Sequence, residues 1–345
     1  MFQTSLADLT GILADFGVHS AAAAFSELQR YHYENDDPAS REVRLIVKVA
    51  PDSGEPLVVR FKNESDVTRE LIEAQSRFAA LLRENGVETP RIYRTDGGFA
   101  RWYTLGGYDV IVTIEQFVEG ELTVVDEAVA EETGALLAET HDISERADFH
   151  VQNPVLFDPL SDNDLFDRSV FMENIERLRA VDASLCAEIE RLSQICLAEI
   201  APLEDEGRFA VQGDISDCNL YRAKSGRLGL FDFNRAGDNV LFFDAAMQAV
   251  FEARLMDYPE AWQGGSERRV LPAFLRGYHR VRPFSTRQIR AWPFLYALVS
   301  AFWSLDMKWN EDSLRAALES SDIPAQRRWL EAIRARLDDQ PAMPL

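Results

Sequence analysis

The chain has 345 residues, 46% hydrophobic and 27% charged, proportions of a folded globular protein, and at roughly 150 residues per domain it is expected to form two lobes. Its 58 Asp plus Glu against 36 Lys plus Arg leave a formal charge of −22, a field that repels phosphate backbones and anionic lipid, disfavours a nucleic-acid partner and suits a cationic or neutral small molecule. Three cysteines without a C-x-x-C pair and five histidines without H-E-x-x-H spacing indicate neither a disulfide framework nor a zinc site.

The opening segment "MFQTSLADLTGILADFG" has no basic residue before Arg30, so it lacks the charged start of a signal peptide, and a cytoplasmic protein is expected. It reads as an amphipathic helix with Ser5 as N-cap, Asp8 at the capping-box position, Leu6, Leu9, Leu13 and Phe16 on one face and Gly17 as the stop. "REVRLIVKV" and "PLVVRFK", separated by "APDSGE", predict a β-hairpin. The next segment, "ESDVTRELIEAQSRFAALLRENG", predicts a helix started by Ser65 or Asp66, ended by Gly86, and presenting Leu71, Ala74, Phe78, Leu81 and Leu82. Two further strands, "FARWYTL" and "YDVIVTIEQF", complete an α+β lobe over residues 1–116.

From residue 117 to 345 the texture is mainly helical, interrupted by the polar stretch "FDPLSDNDLFD" and by a strand-loop-strand segment around residues 211–234. The longest apolar run, "AWPFLYALVSAFWSL", is about 15 residues and holds Pro293. It falls short of the roughly 18 needed to span a bilayer and predicts a buried core helix, with no membrane partner.

The chemistry concentrates in "VQGDISDCNLYRAKSGRLGLFDFN". A carboxylate next to apolar strand residues is costly unless a partner, often a metal ion, offsets its desolvation. Phosphoryl transfer from a nucleotide needs a carboxylate to accept the hydroxyl proton, two oxygen ligands for Mg²⁺ and a cation on the phosphates. Asp214 and Asn219 have the D-x-x-x-x-N spacing of a kinase catalytic loop, and Asp232 opens "DFN" where protein kinases have D-F-G. A hairpin turning at Ser225 and Gly226 brings the two pieces together, so that Asn219 and Asp232 share a metal while Asp214 faces the substrate. Read singly, Asp214 also suits a turn and Asn219 an Asx turn.

Taken in order, these residues resemble the aminoglycoside phosphotransferase and choline kinase-like group of the protein-kinase-like fold, from about Leu45 to about Val250. The family loop reads H-G-D-x-x-x-x-N where this chain has Gln212-Gly213-Asp214 and Asn219, and the later "LFDFNRAGDNVLFFDAA" supplies Asp232, Gly237, Asp238 and Asp244. The resemblance implies a bilobal α+β fold, with a small antiparallel-sheet lobe carrying one helix and a mainly helical second lobe. It implies Asp214 as catalytic base, Asn219 and Asp232 as Mg²⁺ ligands, and Asp244 as an anchor for the loop, though Asp244 also suits a helix N-cap. Arg60 becomes the phosphate-facing cation, with Lys62 as the same-face alternative. Its helix partner falls near Gln75, with Glu70 flanking the same face and Glu73 pointing away.

The function expected is transfer of the γ-phosphoryl group of ATP or GTP to a hydroxyl of a small molecule such as an aminoglycoside or choline. Acidic residues of "FDPLSDNDLFD" are candidates for holding an amine, against the alternative of a solvated linker. Gln212 in place of His, and "YHYENDDPAS" without glycine where a phosphate lid is expected, support a rival expectation: a nucleotide- or metabolite-binding relative with weak or no turnover.

Overall fold

The computed structural model describes residues 1–31, 41–122, 124–215, 217–255 and 265–345; the lid segment considered above falls almost wholly on 32–40, outside the described residues. The chain folds into two compact units, Met1–Leu122 with Cys218–Asn234, and Thr123–Asp217 with Arg235–Leu345. The expected α+β fold, with an antiparallel N-terminal sheet and a mainly helical remainder, is the one observed.

In the first unit, helix α1 (Leu6–Asp15) is capped by Ser5, and the reciprocal Asp8 bond completes the capping box. Leu9, Ile12, Leu13 and Phe16 are buried, whereas Leu6 is exposed; the apolar stripe runs through Ile12, not Leu6. Strands β1 (Ala22–Arg30), β2 (Val43–Pro51) and β3 (Leu57–Asn63) follow. Local pattern does not predict β1, because its Ala-rich run lacks both β-branched residues and alternation; it is an edge strand defined by antiparallel pairing with β2.

Helix α2 (Arg69–Glu84) begins at Thr68, whose hydroxyl accepts from Leu71 N at 3.1 Å, so neither Ser65 nor Asp66 is the cap. Its buried side is Ile72, Glu73, Gln75, Ser76, Phe78, Ala79 and Leu82. The face is thus rotated from the expected Leu71, Ala74 and Leu81, because two polar residues, Glu73 and Gln75, face inward with hydrogen-bond partners. β4 (Arg101–Leu105) and β5 (Tyr108–Gln116) complete a five-stranded sheet of order β1-β2-β3-β5-β4. Its core holds Phe2, Leu13, Phe61, Val59, Val112 and Ile114.

In the second unit come α3 (Glu127–Arg146), α4 (Ser169–Glu173), α5 (Ile175–Ile200) and the short strand β6 (Phe209–Val211). The chain then enters the first unit for the hairpin β7 (Leu220–Arg222) and β8 (Leu228–Leu230), and β9 (Gly237–Asn239) pairs with β6 back in the second. Helices α6 (Leu241–Leu255), α7 (Ser266–Val281), α8 (Thr286–Ala301), α9 (Leu314–Glu319) and α10 (Ile323–Asp338) complete it. The predicted apolar core helix is α8, with Trp292, Leu295 and Leu298 fully buried. No described helix is long and apolar enough to cross a membrane.

Helices α3 and α7 approach so closely that a Cβ on Gly134 would overlap the Phe274 carbonyl and one on Gly277 the Glu131 carbonyl. Glycine at both positions is a packing requirement rather than a turn signal.

Candidate active site

Strand alternation puts Arg60 and Lys62 of β3 on one face. Lys62 is 6% exposed, and its ammonium donates to Asn234 Oδ1. Burial, reinforced by the positive charge of Arg60, pushes its pKa down to about 8. The Arg60 guanidinium lies 2.7 Å from Glu115 Oε1 and 3.6 Å from Asp232 Oδ2. Burial alone would weaken its charge; the two carboxylates outweigh burial and hold its pKa well above the ordinary value.

The "DFN" segment is held from several sides. Gln75 Nε2 of α2 donates to the Asn234 carbonyl at 2.9 Å. Phe233 meets Phe78 edge-on with centroids 5.9 Å apart. Asp232 takes a left-handed backbone, φ 58°, and its Oδ1 accepts from Asn234 N at 3.1 Å. A non-glycine residue in that region is strained, and such strain concentrates at functional positions. These groups surround a cavity of about 40 Å³ lined by Arg60, Lys62, Gln75, Glu115, Asp232 and Asn234 among others, enough for a water or an ion.

Across the β7–β8 hairpin, Phe231 N donates to the Asn219 carbonyl at 3.0 Å, which brings the buried Asn219 beside the residue preceding Asp232. One amide oxygen and one carboxylate are hard donors of the kind Mg²⁺ takes. Among the described residues no three His, Cys, Asp or Glu cluster as a metal site. Two oxygen donors would leave the remaining positions of such an ion to water and phosphate, the coordination Mg²⁺ ordinarily takes.

In the second unit the loop after β6 carries Asp214. Gln212, fully buried, accepts from Asp214 N at 2.8 Å. Gly213 has φ 81°, and a Cβ there would stand 2.5 Å from the Arg235 carbonyl, so only glycine fits this close approach. Asp244 lies in the first turn of α6 rather than at its N-cap, and its Oδ2 is 3.1 Å from His141 Nε2. His141 Nδ1 in turn meets the Tyr278 hydroxyl at 2.9 Å.

The model of the phosphotransferase enzyme family matches residues 39–292. This chain belongs to that family. No curated protein sequence matches it. Among solved structures, the phosphotransferase chain is similar to an aminoglycoside phosphotransferase from Alicyclobacillus acidocaldarius subsp. acidocaldarius DSM 446 (14% identity, TM-score 0.54, 90% of this chain and 93% of that one). A microcompartment-associated aminopropanol kinase aligns with 16% identity and TM-score 0.55 over 96% of this chain and 100% of that one. An amicoumacin kinase in complex with AMP-PNP and Ca²⁺ aligns with 12% identity and TM-score 0.54 over 91% and 90%. At these identities the likeness is one of fold.

The remaining candidates of the phosphotransferase fall differently. Glu70 is exposed. Glu73 is buried, and its Oε2 accepts from Phe99 N at 2.7 Å and Ala100 N at 3.0 Å, so it ties α2 to the start of β4. The acidic stretch is divided between buried and exposed carboxylates. Asp158 pairs with Arg208 at 3.0 Å and Asp167 with Lys308 at 2.7 Å, both aspartates being buried, and Asp162 caps Arg168 N at 2.8 Å. Asp164 is exposed and 3.9 Å from Arg235.

Sequence reasoning missed Glu115 and Asn234. Glu115 could have been found as an acidic residue in an alternating apolar strand, diagonal to Arg60 in the β3–β5 register. Asn234 had only its place after Asp232 and Phe233 as a signal.

Proposed function

We propose that the protein transfers the γ-phosphoryl group of ATP or GTP to a hydroxyl of a small molecule. Residues 1–116 form the nucleotide-binding lobe, and residues 117–345 hold the catalytic loop and acceptor site. The observation that carries this reading is the joining of Arg60, Lys62, Gln75 and Asp232–Asn234 around one small cavity, with Asn219 on the adjoining hairpin. Two cations beside the "DFN" carboxylate are what a polyphosphate requires.

In this reading Asp214 orients the acceptor hydroxyl and takes its proton, and its backbone is held by Gln212 and the Gly213 turn. Arg60 or Lys62 steadies the phosphates. Gln75 positions Lys62 indirectly, since both bind Asn234. Asn219 and Asp232 would hold Mg²⁺, which when bound neutralises charge on the phosphate oxygens. The strongly negative chain favours cationic acceptors, and aminoglycosides, choline and related amines are the first to test.

The test is nucleotide consumption with Mg²⁺ and a panel of hydroxyl-bearing acceptors, read as phosphorylated product by mass spectrometry beside Asp214→Asn and Asp232→Ala. Product from the wild type that both variants lose supports the reading; product undiminished in both sinks it. One observation favours a second reading, a nucleotide-binding protein with weak or no turnover: the α2 position facing the cations is the amide Gln75, not a carboxylate. Tight nucleotide binding without product across the panel would select it.

A further inference from the structure

Helix α6 carries three buried polar residues one turn apart, Asp244, Gln248 and Glu252, on the same face by the i, i+4 rule. Asp244 bonds His141 of α3, as described. Gln248 is 1% exposed and engages Ile215, the residue after Asp214. Its Oε1 accepts from Ile215 N at 3.2 Å, and its Nε2 donates to Ile215 O. A donor and an acceptor on the same residue fix the amide orientation, and the glutamine side chain meets both.

We infer that Gln248 is a positioning residue for the proposed catalytic base, an inference that rests on the functional reading above. Asp214 is bracketed. On one side Gln212 Oε1 accepts its own N–H and Gly213 lies against the Arg235 carbonyl. On the other, Gln248 satisfies both backbone groups of Ile215, which is itself buried. These backbone groups belong to neither a strand nor a helix, so without Gln248 its two bonds would have to be replaced or Ile215 would have to move. A general base must hold its oxygen within a fraction of an ångström of the productive place, and small displacements cost large factors in rate. The clamp therefore acts on the chemical step and leaves nucleotide and acceptor binding alone. Helix α6 is itself tied to α3 and α7 through Asp244, His141 and Tyr278, which gives the clamp a rigid base.

The test compares Gln248→Met, which keeps the volume and removes both bonds, and Gln248→Asn, which keeps the amide and shortens its reach, with Asp214→Asn. Rates are expressed per nucleotide-binding site, so that a loss of folded protein does not count. The expected result is a fall in kcat on the order of tenfold to a hundredfold in both Gln248 variants, with KM for nucleotide and acceptor within about threefold of wild type. Wild-type kcat in both variants would overturn the proposal, as would a raised KM at unchanged kcat. If Asp214→Asn were as active as the wild type, the assignment of the base would fall, and the role of Gln248 with it; that outcome is distinct from an inert Gln248 beside an essential Asp214.

Discussion

Lys62 offers a sharp test of the electrostatics around the small cavity. Its pKa falls from 10.5 to about 8, chiefly through burial and then through the charge of Arg60, which corresponds to about 3 kcal/mol set against the protonated form in the fold. At pH 7 the side chain is protonated folded and unfolded, so that cost is fully present. Above about 8 the folded protein releases the proton first while the unfolded chain keeps it to about 10.5, so stability rises with pH across this window. Lys62→Met should therefore stabilise metal-free protein at pH 7 by up to about 3 kcal/mol, and the gap should close between pH 8 and pH 10.5. Urea unfolding of both proteins at pH 7, 8.5 and 10 measures it. A variant less stable than wild type at pH 7, or a gap that ignores pH, would refute the reasoning. A stabilised but inactive Lys62→Met, set beside an active Arg60→Met, would identify Lys62 as the cation on the phosphates, with stability given up for function.

Other outcomes follow from the same structure. Asp167 is held below its ordinary 3.8: burial works against its charge, but Lys308 and Ser169 outweigh that. Asp167→Asn should cost on the order of 3 kcal/mol near neutral pH by leaving the partly buried Lys308 without its carboxylate partner. Since Asp167 contributes above its ordinary pKa and loses that contribution as pH falls through its lower folded value, the difference in thermal midpoint should narrow below about pH 4; a constant difference would contradict the assignment. Gly134→Ala should lower the melting temperature of the helical unit more than any surface Gly→Ala change, because the new Cβ meets the Phe274 carbonyl; a neutral result by calorimetry would contradict that packing. Of the three cysteines, Cys218 is exposed, whereas burial raises Cys186 and Cys196 to about 11. Iodoacetamide should thus alkylate one thiol in the native protein, identified by peptide mapping, and nucleotide with Mg²⁺ should slow it because Cys218 adjoins Asn219. Rapid labelling of all three would rule this out.

Much of the molecule is legible in local pattern. The capping box at Ser5 and Asp8, the β2–β3 hairpin and helix α3 each rest on contacts between residues close in the chain, so composition and spacing suffice for them. The spacing of Asp214, Asn219 and Asp232 likewise marks a phosphotransferase, because one short segment carries all three. Other features depend on distant partners. β1 is a strand only because β2 pairs with it. Glu73 reads as a residue facing away until the Phe99 and Ala100 amides receive it. Arg60 finds Glu115 across 55 residues, Lys62 finds Asn234 across 172, and Gln248 reaches Ile215 across 33. No local periodicity encodes such pairings. They follow from strand register and helix packing, which decide whether a polar side chain meets water or is buried with a partner.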